Sequence, residues 1–284
     1  MEKIVEGVFI EENYPGVIIG AVPMEDGVLL IDAPLRPEDG RSWLATLRGL
    51  KGGSDRLLVF LDSHTDRTLG SRVLESTIIA QENVYQEFEN RPSIFKALVP
   101  ETGTAWETCS GLSGIRWAAP HMAFTDKAKL HWKEKTISLE HHPGPEDGAS
   151  WVCLPEEKVL FIGDLVTVNQ PPFLENANLH LWEESLGLLA KEYKDYIKIS
   201  SRDGVITDKD IKAMSKFISG LNKQFERMAR RKSNPQNTEK MVEKLLSNFE
   251  IEPRFRNHYY QRLQHGLTQC YTNRYLNPVN DQDE

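Results

Sequence analysis

A histidine flanked by two aspartates follows an apolar run and is the strongest candidate for chemistry in the sequence. Residues 57–70 read LLVFLDSHTDRTLG, in which Asp62, His64 and Asp66 alternate and Arg67 follows directly. Carboxylates and imidazoles at this spacing are side chains that ligate divalent metal ions. The pattern therefore indicates a metal-binding turn, but the permanently charged Arg67 guanidinium could instead neutralise the aspartates.

Three later stretches carry acidic side chains at the ends of predicted strands, and the first of them also carries a histidine. The loop 142–148 reads HPGPEDG and contains His142 and Glu146, and the strand 159–162 runs into Asp164. The loop 200–204 carries Asp203. These residues join the list of candidate ligands.

Alternation and helical spacing of apolar residues predict the elements that carry these side chains. Thr207 with Asp210 three residues later predicts a helix N-terminus, and Asp32, at a strand end, is interpreted as an anchor for the following loop. The segment 85–104 receives no assignment, because it contains Pro92 and Pro100. Strands are predicted at 5–10, 16–22, 27–31, 57–61, 122–124, 129–132, 136–141, 150–154, 159–162 and 196–199, and helices at 37–50, 69–83, 177–193 and beyond 207.

Composition narrows the class of partner. A formal net charge of -8 argues against nucleic-acid binding, which depends on clustered Lys and Arg. No apolar run approaches the roughly 20 residues of a membrane span, so we expect no membrane interaction. The three cysteines are widely separated, as expected of a cytoplasmic protein without a disulfide framework. The expected partners are a small molecule or a protein.

The order of these features resembles the metallo-β-lactamase superfamily, most closely at 154–165, LPEEKVLFIGDL. The resemblance implies an α/β fold: a four-layer αββα sandwich of two mixed β-sheets over residues 1–206. The remainder, 207–284, is predicted to be a C-terminal helical extension that covers its own domain or, alternatively, forms a homodimer contact.

The metal ligands of the superfamily are only partly present in this chain. Its His-x-His-x-Asp-His motif falls on Asp62, His64, Asp66 and Arg67, and its Pro-Gly-His-Thr loop falls on 143–146, where Pro145 replaces a histidine. The last histidine falls on Asp203, unless the alignment slips by one residue. The retained ligand positions are His64, Asp66 and Asp164.

Two functions remain open at this point. The first is a degenerate hydrolase-like protein, a pseudoenzyme with no cofactor, in which Arg67 and His142 contribute to binding a ligand or partner. The alternative is a hydrolase of an ester, thioester or phosphodiester with one Mn, Mg, Ca, Fe or Zn ion. In that alternative, Asp66 or Glu146 is the catalytic base. The candidate metal ligands are Asp62, His64, Asp164 and Asp203.

Overall fold

The computed structural model describes residues 1–50, 53–97 and 102–276. Its first sheet has seven strands in the order β1 to β7. Strands β1 to β4 form an antiparallel meander, and β4 to β7 run parallel to one another. The strands are β1 Glu2–Val5, β2 Val8–Glu11, β3 Ile19–Pro23, β4 Gly27–Ile31, β5 Asp55–Val59, β6 Thr77–Gln81 and β7 Met122–Phe124.

The second sheet has six strands in the order β13, β12, β11, β10, β9, β8. All neighbouring pairs are antiparallel except β11 and β12, which run parallel. The strands are β8 Lys127–Trp132, β9 Lys135–His141, β10 Ser150–Leu154, β11 Val159–Phe161, β12 Ile197–Ser200 and β13 Gly204–Ile206. Both sheets are therefore mixed.

Helices cover the outer face of each sheet. Trp43 and Phe88 pack on the first sheet, and Trp182 packs on the second. Between the sheets lies an apolar layer that includes Leu29, Val59 and Phe161. This arrangement is a four-layer αββα sandwich. The helices are α1 Pro37–Leu47, α2 Thr65–Thr68, α3 Glu82–Asn90, α4 Leu179–Glu192, α5 Asp208–Arg230, α6 Glu239–Leu246 and α7 Arg256–Tyr275.

The C-terminal helices share a hydrophobic core with the second sheet. Phe225 of α5, Val242 of α6 and Leu267 of α7 belong to the same buried cluster as Trp151 of β10. The predicted start of α5 is confirmed, because Thr207 and Asp210 form a reciprocal capping box. The helices of the predicted extension therefore pack against the rest of the described chain.

The helix predicted at 69–83 is wrong. The chain there makes a 3-10 turn, Ser71–Leu74, then strand β6, and α3 begins only at Glu82. Strand β6 is paired with a parallel strand on each side, so its short apolar run is buried on both faces. Such a run lacks the alternation that distinguishes a strand from a helix. Residues 98–101 of the unassigned segment, and 277–284 of the extension, lie outside the described residues.

Within the described ranges, no helix combines the length and the apolar character that crossing a membrane requires.

Parallel pairing brings the candidate site residues together. Strands β4 and β5 end side by side, which places Asp32 next to the 60–67 turn. Strands β11 and β12 also end side by side, which places Asp164 next to Ser201 and Arg202. Hydrogen bonds from the Ser150 amide to the Leu61 carbonyl (2.7 Å) and from the Ile18 amide to the Ser201 carbonyl (2.8 Å) join the two sheets at this edge.

Candidate functional site

Arg67 lies at the centre of the site and is fully buried. It projects from the short helix α2, whose first turn begins at His64. Its Nη1 lies 2.8 Å from Asp32, its Nη2 2.5 Å from Asp164 and its Nε 2.8 Å from Asp62. The Nε–H does not point at the Asp62 oxygen, so that contact is an ion pair without a directed hydrogen bond. One guanidinium thus holds three carboxylates.

Arg202 supplies a second buried guanidinium from the loop after β12. Its Nε and Nη2 fork onto Asp164 at 2.9–3.1 Å, and its Nη1 donates to Asp66 at 3.0 Å. The same Nη1 donates to the Gly16 carbonyl. Gly16 has φ +110°, and a Cβ there would lie 2.5 Å from the Asp66 carbonyl, so only glycine allows this close approach. We call Arg67, Arg202 and their four aspartates (Asp32, Asp62, Asp66 and Asp164) the arginine–carboxylate cluster.

Asp66 is fixed by backbone as well as by Arg202. Its carboxylate accepts hydrogen bonds from the amides of Ala105 and Trp106, both at 3.0 Å. Burial acts against its charge, but His64, Arg202 and these amides together lower the pKa of Asp66. Asp66 is therefore an ionised structural acceptor rather than a free base.

Charge in the cluster is not fully balanced, because four carboxylates face two guanidinium groups. Burial raises the pKa of Asp32, and it raises that of Asp62 to about 7, in spite of Arg67. Burial also opposes the charge on Asp164, but Arg202 and Arg67 outweigh it and hold the pKa of Asp164 well below its usual range. The excess negative charge therefore shows in the raised pKa values of Asp32 and Asp62, and not at Asp164.

His64 lies beside the cluster as a neutral imidazole. Burial lowers its pKa to about 4. Its Nδ1 is 3.4 Å from Nη2 of Arg202, and its ring centroid is 4.4 Å from that of Phe173. Because Arg202 can only donate, Nδ1 is the accepting nitrogen and the proton is on Nε2.

Asp203 does not join the cluster. Its two oxygens accept the amides of Val168 and Asn169 at 2.8 and 3.0 Å, and Arg202, one residue earlier, points into the site instead. Arg202 rather than Asp203 is therefore the residue of this loop that enters the site.

His142 also lies away from the cluster. Its Nε2 is 3.3 Å from Glu140, and its ring lies 3.8 Å from the ring of Trp151. The Pro-Gly-Pro loop holds it on the side facing Glu140, so the structure does not bring His142 together with Arg67.

Glu146 lines a cavity of about 1130 Å³ that also borders Ser63, the residue between Asp62 and His64. Asn176 donates a hydrogen bond to Glu146 at 3.1 Å. Burial, together with the nearby Asp62, raises the pKa of Glu146 well above its usual range. We call this space the Glu146 cavity.

Arg262 and Phe173 complete the surroundings and were not identified from the sequence. The Arg262 guanidinium lies 3.9 Å from the Phe173 ring centroid and donates to the carbonyls of Gly103 and Pro171. Among the described residues no carboxylate pairs with it, and burial and Arg202 lower its pKa. Arg262 lies within an otherwise apolar face of α7, which offers no sequence signal for such a role. Arg202, by contrast, directly precedes Asp203 in the loop where the sequence alignment left a one-residue slip open.

A divalent metal ion does not fit this donor set. Asp62 and Asp164, two of the candidate ligands, are occupied by Arg67, and a guanidinium cannot lose its charge to make room for another cation. Asp203 is turned elsewhere. Over residues 1–50, 53–97 and 102–276, no three His, Cys, Asp or Glu side chains are grouped in a way that could hold a metal ion.

Comparisons with known proteins agree on one architecture. No protein-family model and no curated protein sequence matches the chain. The structure is similar to a stereoselective inverting sec-alkylsulfatase from Pseudomonas sp., with a TM-score of 0.71 and 14% identity over 99% of this chain and 50% of that one. It is also similar to metallo-β-lactamases from Pontibacter korlensis (TM-score 0.59, 16% identity, 77% and 97% of the two chains) and Hirschia baltica (0.59, 14%, 77% and 96%).

The chain has the metallo-β-lactamase fold. The predicted four-layer sandwich is thereby confirmed, and identities this low establish the fold alone. The chain spans about half the length of the alkylsulfatase, and the match over 99% of its own length takes in the C-terminal helices. Within the metallo-β-lactamase fold, the cluster occupies the strand ends on which the sequence motif placed the metal ligands.

Proposed function

We propose that this protein is a metal-independent member of the metallo-β-lactamase fold that binds a small ligand and does not act as a metallohydrolase. The observation that carries the proposal is the position of Arg67, whose three nitrogens lie on Asp32, Asp62 and Asp164 at 2.5–2.8 Å. A cation at this place repels a metal ion and consumes the carboxylates that would bind it. The salt bridges serve as the local structural link that a metal would otherwise provide.

The Glu146 cavity is the place where we expect the ligand. Its volume of about 1130 Å³ and its concave form suit a small molecule better than a protein surface. Carboxamides and carboxyl groups dominate its lining, including Asn83, Asn176 and Glu146. Such a lining favours a ligand rich in hydroxyl or ammonium donors.

Metal analysis of protein purified without a chelator tests the metal-independent part of this proposal. We expect far less than one equivalent of Mn, Fe or Zn per chain, and no change in melting temperature on adding EDTA. His64→Ala should leave the metal content unchanged, as should His180→Ala at an exposed histidine of α4 that serves as the control. A near-stoichiometric metal that is lost in His64→Ala but retained in His180→Ala would overturn the proposal.

The alternative, a one-metal hydrolase, requires a near-stoichiometric metal that is lost in His64→Ala. In that alternative, Asp62, His64 and Asp164 hold an ion and Arg67 must leave its three partners. Asp62 and Asp164 would then face the ion, but Asp32 would be left as a buried carboxylate without its guanidinium, which costs several kcal/mol. The geometry therefore favours the metal-independent protein.

Ligand binding is tested separately by thermal shift with spermidine and sorbitol, which represent ammonium and hydroxyl donors. We expect stabilisation by at least one of them, reduced in Glu146→Gln and retained in Glu75→Gln at an exposed site. Stabilisation that is unchanged in Glu146→Gln would place the binding site elsewhere.

A further inference from the structure

A second concave site lies between α5 and α6, on the opposite side of the fold's second sheet from the inter-sheet core. Its volume is about 530 Å³, within the range of small-molecule sites. Buried side chains of both helices form an apolar floor that includes Met214, Phe217, Leu221 and Leu245. We call it the α5–α6 groove.

Three lysines surround this apolar floor. Lys209 and Lys216 are two turns apart on one face of α5, and Lys244 lies across from them on α6. All three are exposed, and in the described part of the chain no carboxylate lies within ion-pair distance of their ammonium groups. Of the two acidic residues in the lining, Asp210 directs its carboxylate to Thr207 in the capping box, which leaves Glu250. A locally positive rim on a chain of net charge -8 points to an anionic ligand.

A buried hydroxyl without a partner faces the same groove. Thr167 is only 4% exposed, lines the groove, and its Oγ1 makes no hydrogen bond to any described residue. Buried hydroxyl groups in folded proteins normally have a hydrogen-bond partner, so the Thr167 hydroxyl is available to a polar atom that enters the groove. The loop that carries it is held in place by Asp203, which accepts the amides of the next two residues.

Space for a ligand is also visible at Gly220, in the middle of α5. A Cβ added there would meet no atom within 4 Å, although the residue lines the groove. Gly187 on α4 is open in the same way but lies outside the groove. These two glycines form a matched pair for a blocking experiment.

We propose that the α5–α6 groove binds one anionic amphiphile, an apolar chain that ends in a carboxylate, sulfate or phosphate. The chain lies on Phe217, Leu221 and Leu245, the lysine ammonium groups bind the anionic group, and the Thr167 hydroxyl donates to a ligand oxygen. A single molecule fits better than a membrane surface, because the apolar residues line a concavity. A membrane-binding helix would instead expose them on a convex face.

Isothermal titration of the full chain with monomeric sodium decanoate tests the proposal. Decan-1-ol and decyltrimethylammonium serve as neutral and cationic probes of equal chain length. We expect decanoate to bind one per chain, about tenfold or more tightly than either control probe. Lys216→Gln with Lys244→Gln should weaken decanoate by about tenfold, whereas Lys212→Gln, at an exposed lysine of α5 outside the groove, should not.

Blocking variants locate the site. Gly220→Leu should abolish decanoate binding, and Gly187→Leu should leave it intact. Melting temperatures of both variants show whether each is folded. Unchanged binding by Gly220→Leu, or equal affinity for the cationic and anionic probes, would overturn the proposal. So would binding to phosphatidylglycerol vesicles without binding of decanoate. None of these outcomes depends on whether the arginine–carboxylate cluster holds a metal.

Discussion

The arginine–carboxylate cluster and the α5–α6 groove differ in whether their charged groups are buried and paired. In the cluster, Arg67 and Arg202 are buried and every terminal nitrogen contacts a carboxylate, hydroxyl, carbonyl or imidazole. In the groove, three ammonium groups are exposed without a described ion-pair partner, and one buried hydroxyl is unsatisfied. Paired buried charges stabilise the fold and leave nothing for a ligand, whereas unpaired groups around an apolar floor are available for one. Whether the polar groups already have partners is therefore the property that separates these two regions.

Removing Arg67 should have the largest effect on stability, and it tests whether the buried cluster depends on its charge pairing. Arg67→Met leaves Asp32, Asp62 and Asp164 buried without their shared cation. We expect the free energy of unfolding to fall by about 3–5 kcal/mol or more. Urea denaturation measures it, with exposed Arg72→Met as the control. A loss below about 1 kcal/mol would mean that the three carboxylates are neutral or solvated.

Removing Arg202 should lower the free energy of unfolding by less than removing Arg67 does, because the carboxylates that Arg202 contacts keep other hydrogen-bond donors. Asp164 keeps Arg67, and Asp66 keeps the amides of Ala105 and Trp106. For Arg202→Met we expect a loss of about 2–3 kcal/mol by urea denaturation. Arg202→Lys should recover only part of it, since an ammonium group cannot reproduce the fork onto Asp164. Full recovery by lysine would show that charge alone matters at this position.

The strand ends that build the cluster could be predicted from the sequence, whereas the partners of each side chain could not. Apolar runs that end in Asp32, Asp62 and Asp164 mark the ends of β4, β5 and β11, and strand pairing then brings them together. The alternative in which Arg67 neutralises aspartates was also visible, because its charge is permanent. Which loop residue faces inward after β12 depends on packing between the sheets, and so Arg202 rather than Asp203 emerged only from the structure.

The wrong assignment of β6 and the missed Arg262 both depend on tertiary packing, which a local sequence pattern does not contain. A short run buried on both faces, such as β6, carries no periodicity that separates strand from helix. The inward orientation of Arg262 depends on the docking of α7 against Phe173, a contact between distant segments that no local pattern encodes.

The domain division at 206 stays a prediction, as do the homodimer contact and the candidate metal ligands.

The excess negative charge in the cluster predicts an unusual pH dependence. The pKa of Asp62 is raised to about 7, so the folded protein binds a proton more tightly than the unfolded chain does. Its contribution to stability is therefore present at acidic pH and is lost as pH rises towards 7.

Asp62→Asn tests this contribution, because asparagine resembles the protonated acid. We expect the variant to be more stable than the wild type by about 1–2 kcal/mol at pH 8, with the difference shrinking towards pH 5. Thermal unfolding across this range measures it, and Asp55→Asn at an exposed strand residue is the control. A variant that is destabilised equally at both pH values would mean that Asp62 is ionised throughout.

The smallest effect on stability is expected for lysine substitutions in the α5–α6 groove, in contrast to the arginine substitutions in the cluster. Lys216→Gln with Lys244→Gln removes two charges that have no described partner, so stability should change by less than about 0.5 kcal/mol. The same urea measurement applies, now with decanoate absent and present. A loss comparable to that of Arg202→Met would show that these lysines belong to a structural network, as the cluster arginines do.

The cluster also constrains how the chain can fold. Its charged groups come from Asp32, the 62–67 turn, Asp164 and Arg202, which lie up to 170 residues apart. The first sheet alone would bury Asp32, Asp62, Asp66 and Arg67 without Asp164 or Arg202, and the second sheet alone would pair Asp164 with Arg202 but lack Arg67. Neither half can therefore complete its charge pairing before the other has docked. This makes docking of the two sheets a late, mutually dependent step, and we expect isolated halves of the chain to remain only partly structured.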